Sequence, residues 1–432
     1  MVRNIKKLFL EFIGSEILKN TSVLVSGTVI AQLIPILLQP LLRRYYTTED
    51  FGAYSIYLSI VGVFVVMSSL KFELAIVLPR KDKDSANLLF ASLIINTFFC
   101  ILLCIVILIF QKSILRLINL TPDRAIFLYM VPAGVFLVNG YQSINYWLIR
   151  TKSFYAISIN KFGRRGFEGM VQTAYILIKN SKGLLYGDIV GNLSNVIMGL
   201  YQSKKKGFSI NIFSLNKVKY LLRKYSYFPK YNLLTSIMSA SSFSLPAIFI
   251  NKFYSLEYTG YLDMSRMLLS IPLALIAMSL ANVLLQRISE KYRNTQSILK
   301  DIGPVAGLIV AVAIAEIIVI QLFSVEIFTL FFGKQWAFSG TISKILVYSF
   351  ALNFIVVSFS TIFIAMNRIK MLSIWQIIYF TSIISLILFK DSSFINFVRI
   401  YVSIEVFCSL ILISMMVIVV AKYETSLRIQ KT

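Results

Sequence analysis

Long apolar runs separated by short basic stretches set the rhythm of this chain. A helix needs ~20 apolar residues to cross ~30 Å of hydrocarbon, and about twelve runs meet that requirement. They cover residues 21–42, 53–78, 87–110, 125–148, 162–178 and 184–202, then 231–250, 261–286, 302–323, 343–366, 372–389 and 395–421. The fifth is the poorest, because charges crowd its start. Over residues 1–20, Ile5, Leu8, Phe9, Phe12 and Ile13 recur at helical spacing among lysines and glutamates. This predicts an amphipathic helix on the membrane surface rather than a removable signal peptide, which would carry a compact apolar core. Residues 203–229 form the longest polar stretch, with Val218, Leu221, Leu222 and Tyr225 on one helical face. That stretch predicts a second surface helix and a linker between two lobes, 21–202 and 230–421, with a tail over 422–432.

Composition agrees with the pattern. Hydrophobic residues make up 57% and charged residues 14%, far from the balance of a soluble domain. The mean hydropathy is +0.77. The expected fold class is therefore an all-α integral membrane protein, two parallel lobes of about six helices each around a central cavity. A formal charge of +24 suggests nucleic acid at first sight. The basic residues are scattered between apolar runs, however, and no basic domain gathers them. Most fall in alternate loops, which predicts a cytoplasmic location for both termini. The chain has no histidine, and Cys100, Cys104 and Cys408 lie within apolar runs, so neither a metal nor a cofactor is expected. Asp82-Lys83-Asp84 fits a metal-binding D-x-D pattern, but no nucleotide-binding domain surrounds it. No phosphate-binding loop of the G-x-x-x-x-G-K type occurs. No catalytic residue is assigned, and the expected role is transport driven by a gradient.

One short motif occurs twice. Tyr46-Thr47-Thr48-Glu49-Asp50-Phe51-Gly52 returns as Tyr254-Ser255-Leu256-Glu257-Tyr258-Thr259-Gly260. Each copy follows an apolar run and a basic residue, and each leads into the next run. The repeat predicts two halves of similar plan, with both turns on the outer side.

Charged residues within apolar runs are the sharpest functional signal, each costing at least ~2.5 kcal/mol at mid-bilayer. Lys71 and Glu73 lie in the inner half of the second run, two apart and so on different helix faces. Lys71 either points into a cavity or reaches back to the inner surface. Asp263 and Arg266 are three apart, suited to pair with each other or to line an outer mouth. Arg164 and Arg165, with Glu168, open the weak fifth run, and guanidinium donors match phosphate oxygens. A cytoplasmic anchor is the other reading of these two. Glu316 and Glu405 lie deep in the ninth and last runs, as carriers of a proton or cation or as polar helix contacts. Gly187-x-x-x-Gly191 and Gly303-x-x-x-Gly307 predict close helix approach. Lys71, Arg164, Arg165 and Arg266 are therefore the candidate substrate-binding residues. Glu73, Asp263, Glu316 and Glu405 are the candidates for ion coupling.

The stretch Arg43-Arg44-Tyr45-Tyr46-Thr47-Thr48-Glu49-Asp50-Phe51-Gly52-Ala53-Tyr54 resembles a turn found after the first helix of Wzx-type oligosaccharide flippases. These belong to the multidrug/oligosaccharidyl-lipid/polysaccharide exporter superfamily. Phe72 to Arg80 and Phe332-Gly333-Lys334-Gln335-Trp336 are similar to two further stretches of that family. The family's proline after the second Thr or Ser is absent here, where Glu49 follows Thr48. The resemblance implies a bacterial inner-membrane protein that moves an undecaprenyl-diphosphate-linked oligosaccharide to the outer leaflet, for O-antigen, capsule or another exopolysaccharide. It implies a polysaccharide polymerase and chain-length proteins as further partners. A cation-coupled drug antiporter is the alternative, disfavoured by the many basic residues and few buried acids. A membrane-embedded polymerase or ligase ranks lower, because no substantial outer loop is present to hold catalytic arginines or histidines.

Overall fold

The computed structural model describes residues 16–429, with side chains from residue 31 onward apart from a few in the later helices. The N-terminal surface helix expected over residues 1–20 lies almost wholly outside the described residues. Among those described, every regular element is helical. The main helices are α1 (Glu16–Tyr45), α2 (Thr48–Ser68), α3 (Asp82–Leu117), α4 (Val131–Arg150), α5 (Phe154–Leu177), α6 (Gly183–Lys205) and α7 (Leu215–Lys224). They continue with α8 (Leu233–Phe253), α9 (Leu256–Arg293), α10 (Leu299–Phe332), α11 (Ala337–Phe359), α12 (Ile369–Ile384) and α13 (Phe394–Ile429). The chain divides into two compact units, Met1–Ala240 and Ser241–Thr432.

Among the described residues, eight helices are long and apolar enough to cross a membrane, and a ninth, α9, passes if its two halves count as one span. Those halves meet at 42° between Ile271 and Ile276, where the sequence places Pro272, a residue with no amide hydrogen for the helix ladder. The protein is thus a multi-pass membrane protein. Helices α3, α10 and α12 bury the least of their apolar length. Large apolar side chains such as Phe98 and Leu108 on α3 remain exposed, as a lipid-facing surface requires. Helices α1, α5 and α6 are not among the nine. In α5 and α6 the reason is visible, since both carry charged and amide side chains along one face.

The repeated turn is built alike in both units. Thr47 caps α2 through a capping box, accepting from the Asp50 amide at 3.2 Å while Asp50 Oδ2 accepts from the Thr47 amide at 3.1 Å. Ser255, the aligned residue, caps α9 by accepting from the Tyr258 amide at 3.3 Å. Each cap satisfies amides that a helix start leaves unpaired. The tyrosine before each cap also does the same work. Tyr46 donates to the Gln172 carbonyl at 2.8 Å, and Tyr254 donates to the Ser392 carbonyl at 2.7 Å. Arg43 lies over the Phe51 ring at 3.5 Å, and Arg124 bridges Glu49 at 2.8 Å and Asp50 at 3.6 Å. Beside it in the loop, a hydrogen bond from the Thr121 side chain holds the Asp123 carboxyl below the usual carboxylate range.

Three expectations change. The chain leaves α2 at Ser68, and Leu70 and Lys71 turn left-handed (φ 53° and 64°) before a 3-10 turn over Phe72–Val77. Helical spacing no longer applies there, so Lys71 and Glu73 form an ion pair of 3.8 Å instead of facing apart. Gly187 and Gly191 do sit at a close approach, but a Cβ at Gly303 or Gly307 would meet nothing within 4 Å. The latter pair faces outward on α10. The third change concerns the linker. The apolar face of α7 is not offered to lipid: Val218, Leu221 and Tyr225 are buried. Leu221 and Tyr225 pack with Phe72, Ile76, Trp147 and Phe228 in the core of the first unit.

Asn87 at the start of α3 fixes that docking. Its amide donates to the Lys83 carbonyl at 2.7 Å and to the Ile212 carbonyl at 3.1 Å, and its oxygen accepts from the Ser214 amide at 2.8 Å. A buried hydrogen bond is worth ~1 kcal/mol, so Asn87→Ala is expected to destabilise the first unit by about 2 kcal/mol. Thermal unfolding of the purified variant checks this; an unchanged midpoint would show that the apolar face alone holds the linker.

In the second unit, Gly333 ends α10 in a conformation (φ 103°) that only glycine adopts without strain. This lets Trp336 fold back, fully buried, edge-on to Tyr261 at 6.2 Å. Helix α13 continues to Ile429. Glu424 holds it by accepting from the Ile298 amide at 2.8 Å and the Ser297 hydroxyl at 3.1 Å.

Candidate functional site

In the first unit, a glycine seam brings α5 and α6 together. A Cβ at Gly191 would stand 2.9 Å from the Arg164 carbonyl and from Glu168 Cβ, and one at Gly187 would stand 2.4 Å from Gln172. This close approach lets the polar faces of the two helices meet. Arg164 then reaches Asp188 at 3.5 Å, and Tyr57 from α2 donates to the other Asp188 oxygen at 3.1 Å. The next residue of α5, Arg165, pairs with Glu168 one turn on at 2.8 Å. Both carboxylates are buried, Asp188 to 2% exposure, and buried acids of this kind are retained only when paired. A bulkier residue in the seam should pry the helices apart. Gly191→Val is expected to cost about 2 kcal/mol or more by overpacking, measurable as a lower melting temperature.

A cavity of about 250 Å³ opens beside these pairs. Its cationic wall is Lys161, Arg164 and Arg165 on α5; its neutral polar wall includes Gln32, Asn192 and Asn195 from α1 and α6. Three cations and several amides around one cavity suit a ligand that is both anionic and hydroxylated.

The sequence places Arg164 and Arg165 at a helix start. The structure places them well inside α5, which begins earlier, at Phe154. The earlier charges are tolerated because each arginine has a carboxylate partner within the same unit. Lys71 lies elsewhere in this unit. Its partner Glu73, fully buried, also accepts from the Ser69 hydroxyl, and Ser69 in turn accepts from Asn139 at 3.0 Å.

The second unit holds a separate polar cluster. Arg266 on α9 donates to the Phe243 carbonyl at 3.2 Å and to the Tyr401 hydroxyl at 2.9 Å, and its guanidinium lies over both rings. One turn beyond Tyr401 on α13, Glu405 accepts from the Tyr379 hydroxyl at 2.5 Å. Tyr379 stacks on Trp375 at 5.1 Å. Asp263 sits one turn before Arg266 on α9. Glu316 on α10 is half-buried, and its Oε2 is buried without a hydrogen-bond partner.

Against known proteins, the model of a family described as "Polysaccharide biosynthesis protein" matches residues 41–341. The chain belongs to that family. No match is found among curated proteins. Solved structures resemble this polysaccharide biosynthesis protein over nearly its whole length. The lipid II flippase MurJ, in an inward closed conformation, aligns with a TM-score of 0.69 at 16% identity, covering 94% of this chain and 91% of that one. An inward-facing multidrug resistance MATE family transporter of the MOP superfamily gives 0.63 at 14% identity, covering 93% and 94%. A MOP superfamily transporter from Pyrococcus furiosus, described by the reverse polarity of its binding pocket, gives 0.61 at 15% identity, covering 94% and 96%. The polysaccharide biosynthesis protein shares the fold of these solved structures.

Sequence reading overlooked Asp188, Tyr57, Tyr401 and Tyr379 in this polysaccharide biosynthesis protein. A signal for Asp188 was present: it is an acid inside a run, flanked by Gly187 and Gly191. The tyrosines gave none, since a tyrosine in an apolar run reads as core.

Proposed function

We propose that the protein is a Wzx-type flippase, moving an undecaprenyl-diphosphate-linked oligosaccharide from the cytoplasmic to the outer leaflet of a bacterial inner membrane. The observation that carries this reading is the cavity with three cations on one wall and amides on the other. Arg164, Arg165 and Lys161 would take the diphosphate, and the amides would meet sugar hydroxyls. At about 250 Å³ the cavity suits a diphosphate and the adjoining sugar, while the polyprenyl chain stays in lipid, its natural solvent. Membership in a polysaccharide biosynthesis family supports a saccharide cargo. Likeness to a lipid II flippase supports a lipid-linked one. In this reading α1, α5 and α6 also span the membrane, which brings the total to about twelve, with both termini cytoplasmic. Lys71 and Arg266 act as positioning charges within their own networks, and Glu73, Asp263, Glu316 and Glu405 are the places to seek ion coupling. The product would enter O-antigen, capsule or another exopolysaccharide.

A drug antiporter is the second reading, and the buried carboxylates Asp188 and Glu405 favour it. Both already accept from arginine or tyrosine, which leaves them poorly placed for a cationic drug. Leaflet-resolved analysis of lipid-linked saccharides tests the choice. Cells lacking the protein should accumulate the lipid-linked unit on the cytoplasmic leaflet. Normal amounts on the outer leaflet, together with lost resistance to cationic compounds, would transfer the case to the antiporter.

A further inference from the structure

Besides the Tyr141 hydroxyl, two polar atoms at the cavity of the first unit are buried without a hydrogen-bond partner: Asn195 Oδ1, an acceptor, and Arg164 Nε, a donor. Asn195 is itself only 2% exposed. Both residues line the same cavity. A buried polar group left unpaired lowers stability, and native folds rarely keep one without a use. Asn195 stands on the face of α6 that also carries Asp188 and Asn192, at helical spacings of four and three. Asn192 turns its amide back to the Asp188 carbonyl at 2.9 Å, so it is already occupied. Asn195 makes no such return.

A ligand that completes this site must offer an anionic acceptor to Arg164 and an O–H or N–H donor to Asn195. Resting on the flippase reading above, we propose that Asn195 is a specificity residue that reads the substituent on C2 of the sugar joined to the diphosphate. The chemistry is local. In a glycosyl diphosphate the phosphate leaves from C1, so the neighbouring C2 carries the nearest hydroxyl or acetamido N–H. Either group donates to a carboxamide oxygen while the phosphate accepts from the guanidinium. A 2-deoxy sugar keeps the anion and loses the donor. A site built to receive a hydrogen bond rejects an analogue that lacks it far more strongly than an apolar pocket rejects a missing methylene.

The test uses the purified full-length protein and three probes: farnesyl diphosphate, the same lipid carrying glucose, and the same lipid carrying 2-deoxyglucose. The wild type should bind the glucose-bearing lipid at least about tenfold more tightly than the 2-deoxy analogue. Asn195→Leu should abolish that preference, so that the glucose-bearing and 2-deoxy lipids bind alike, and melt no lower than the wild type. Asn195→Ala serves the same purpose if leucine does not fit. The balanced change Arg164→Gln with Asp188→Asn should weaken all three probes alike. A wild type without preference, or a preference that survives Asn195→Leu, overturns the assignment of Asn195 while leaving the flippase reading intact. Failure of the wild type to bind any of the three overturns the flippase reading and this proposal with it.

Discussion

Transport is expected to fall at least about a hundredfold when the two ion pairs beside the cavity are neutralised in balance, Arg164→Gln with Asp188→Asn and Arg165→Gln with Glu168→Gln. A hydrogen bond to a charged group is worth ~1.5–3 kcal/mol. Losing one such contact from each arginine to a diphosphate therefore removes at least ~3 kcal/mol, and each 1.4 kcal/mol is a factor of ten. The balance is what makes the result readable. Neutralising the arginines alone would strand two buried carboxylates, and any loss of transport would then be confounded with misfolding. Replacing both partners of a buried pair is often close to neutral for stability. The four-residue variant should thus melt near the wild type and fail to move lipid-linked saccharide in proteoliposomes. Transport within threefold of the wild type would remove Arg164 and Arg165 from the substrate site.

Asp188→Leu alone should do the opposite, damaging the fold first. It leaves the Arg164 guanidinium without its acid and the Tyr57 hydroxyl without its acceptor. Breaking one side of a buried pair costs about 3 kcal/mol or more, so a marked drop in melting temperature is expected. Adding Arg164→Met should restore most of it, because the stranded charge is then gone. The coupling appears in a double-mutant cycle across these two sites. If the second substitution adds its own damage instead of repairing the first, the pair is not what holds α5 to α6.

The repeated turn was legible because its caps are local. A Thr or Ser cap satisfies amides a few residues away, so a short string of sequence carries it, whereas the carbonyls that the aligned tyrosines reach, at Gln172 and Ser392, lie in distant segments. Membrane character was legible for a related reason, since apolar length alone decides it. The site was legible only in part. Arg164 and Arg165 stood out as charges in a weak run, but their depth in α5 depends on Asp188 and on Glu168 sharing the load. Pairing between helices leaves no trace in local spacing. The glycine motifs make the same point: identical spacing on α6 and α10 gives a packed seam in one place and an outward face in the other, because the partner helix decides. At Lys71 and Glu73 the expected spacing failed for want of a helix, the chain having turned left-handed just before.

The docked linker changes where the molecule can be cut. Lys217, Lys219, Arg223 and Lys224 make α7 dense in trypsin sites, and polar loops are ordinarily where a protease enters. A protease needs its target locally unfolded, and α7 is held by Leu221 in the core and by Asn87 on both sides of Phe213. Early cleavage should therefore fall just before it, at Lys204, Lys205 and Lys206, next to exposed Gly207 with open space around it. That same point, between Lys206 and Phe208, is where a tag or a fluorescent domain can be inserted with least disturbance.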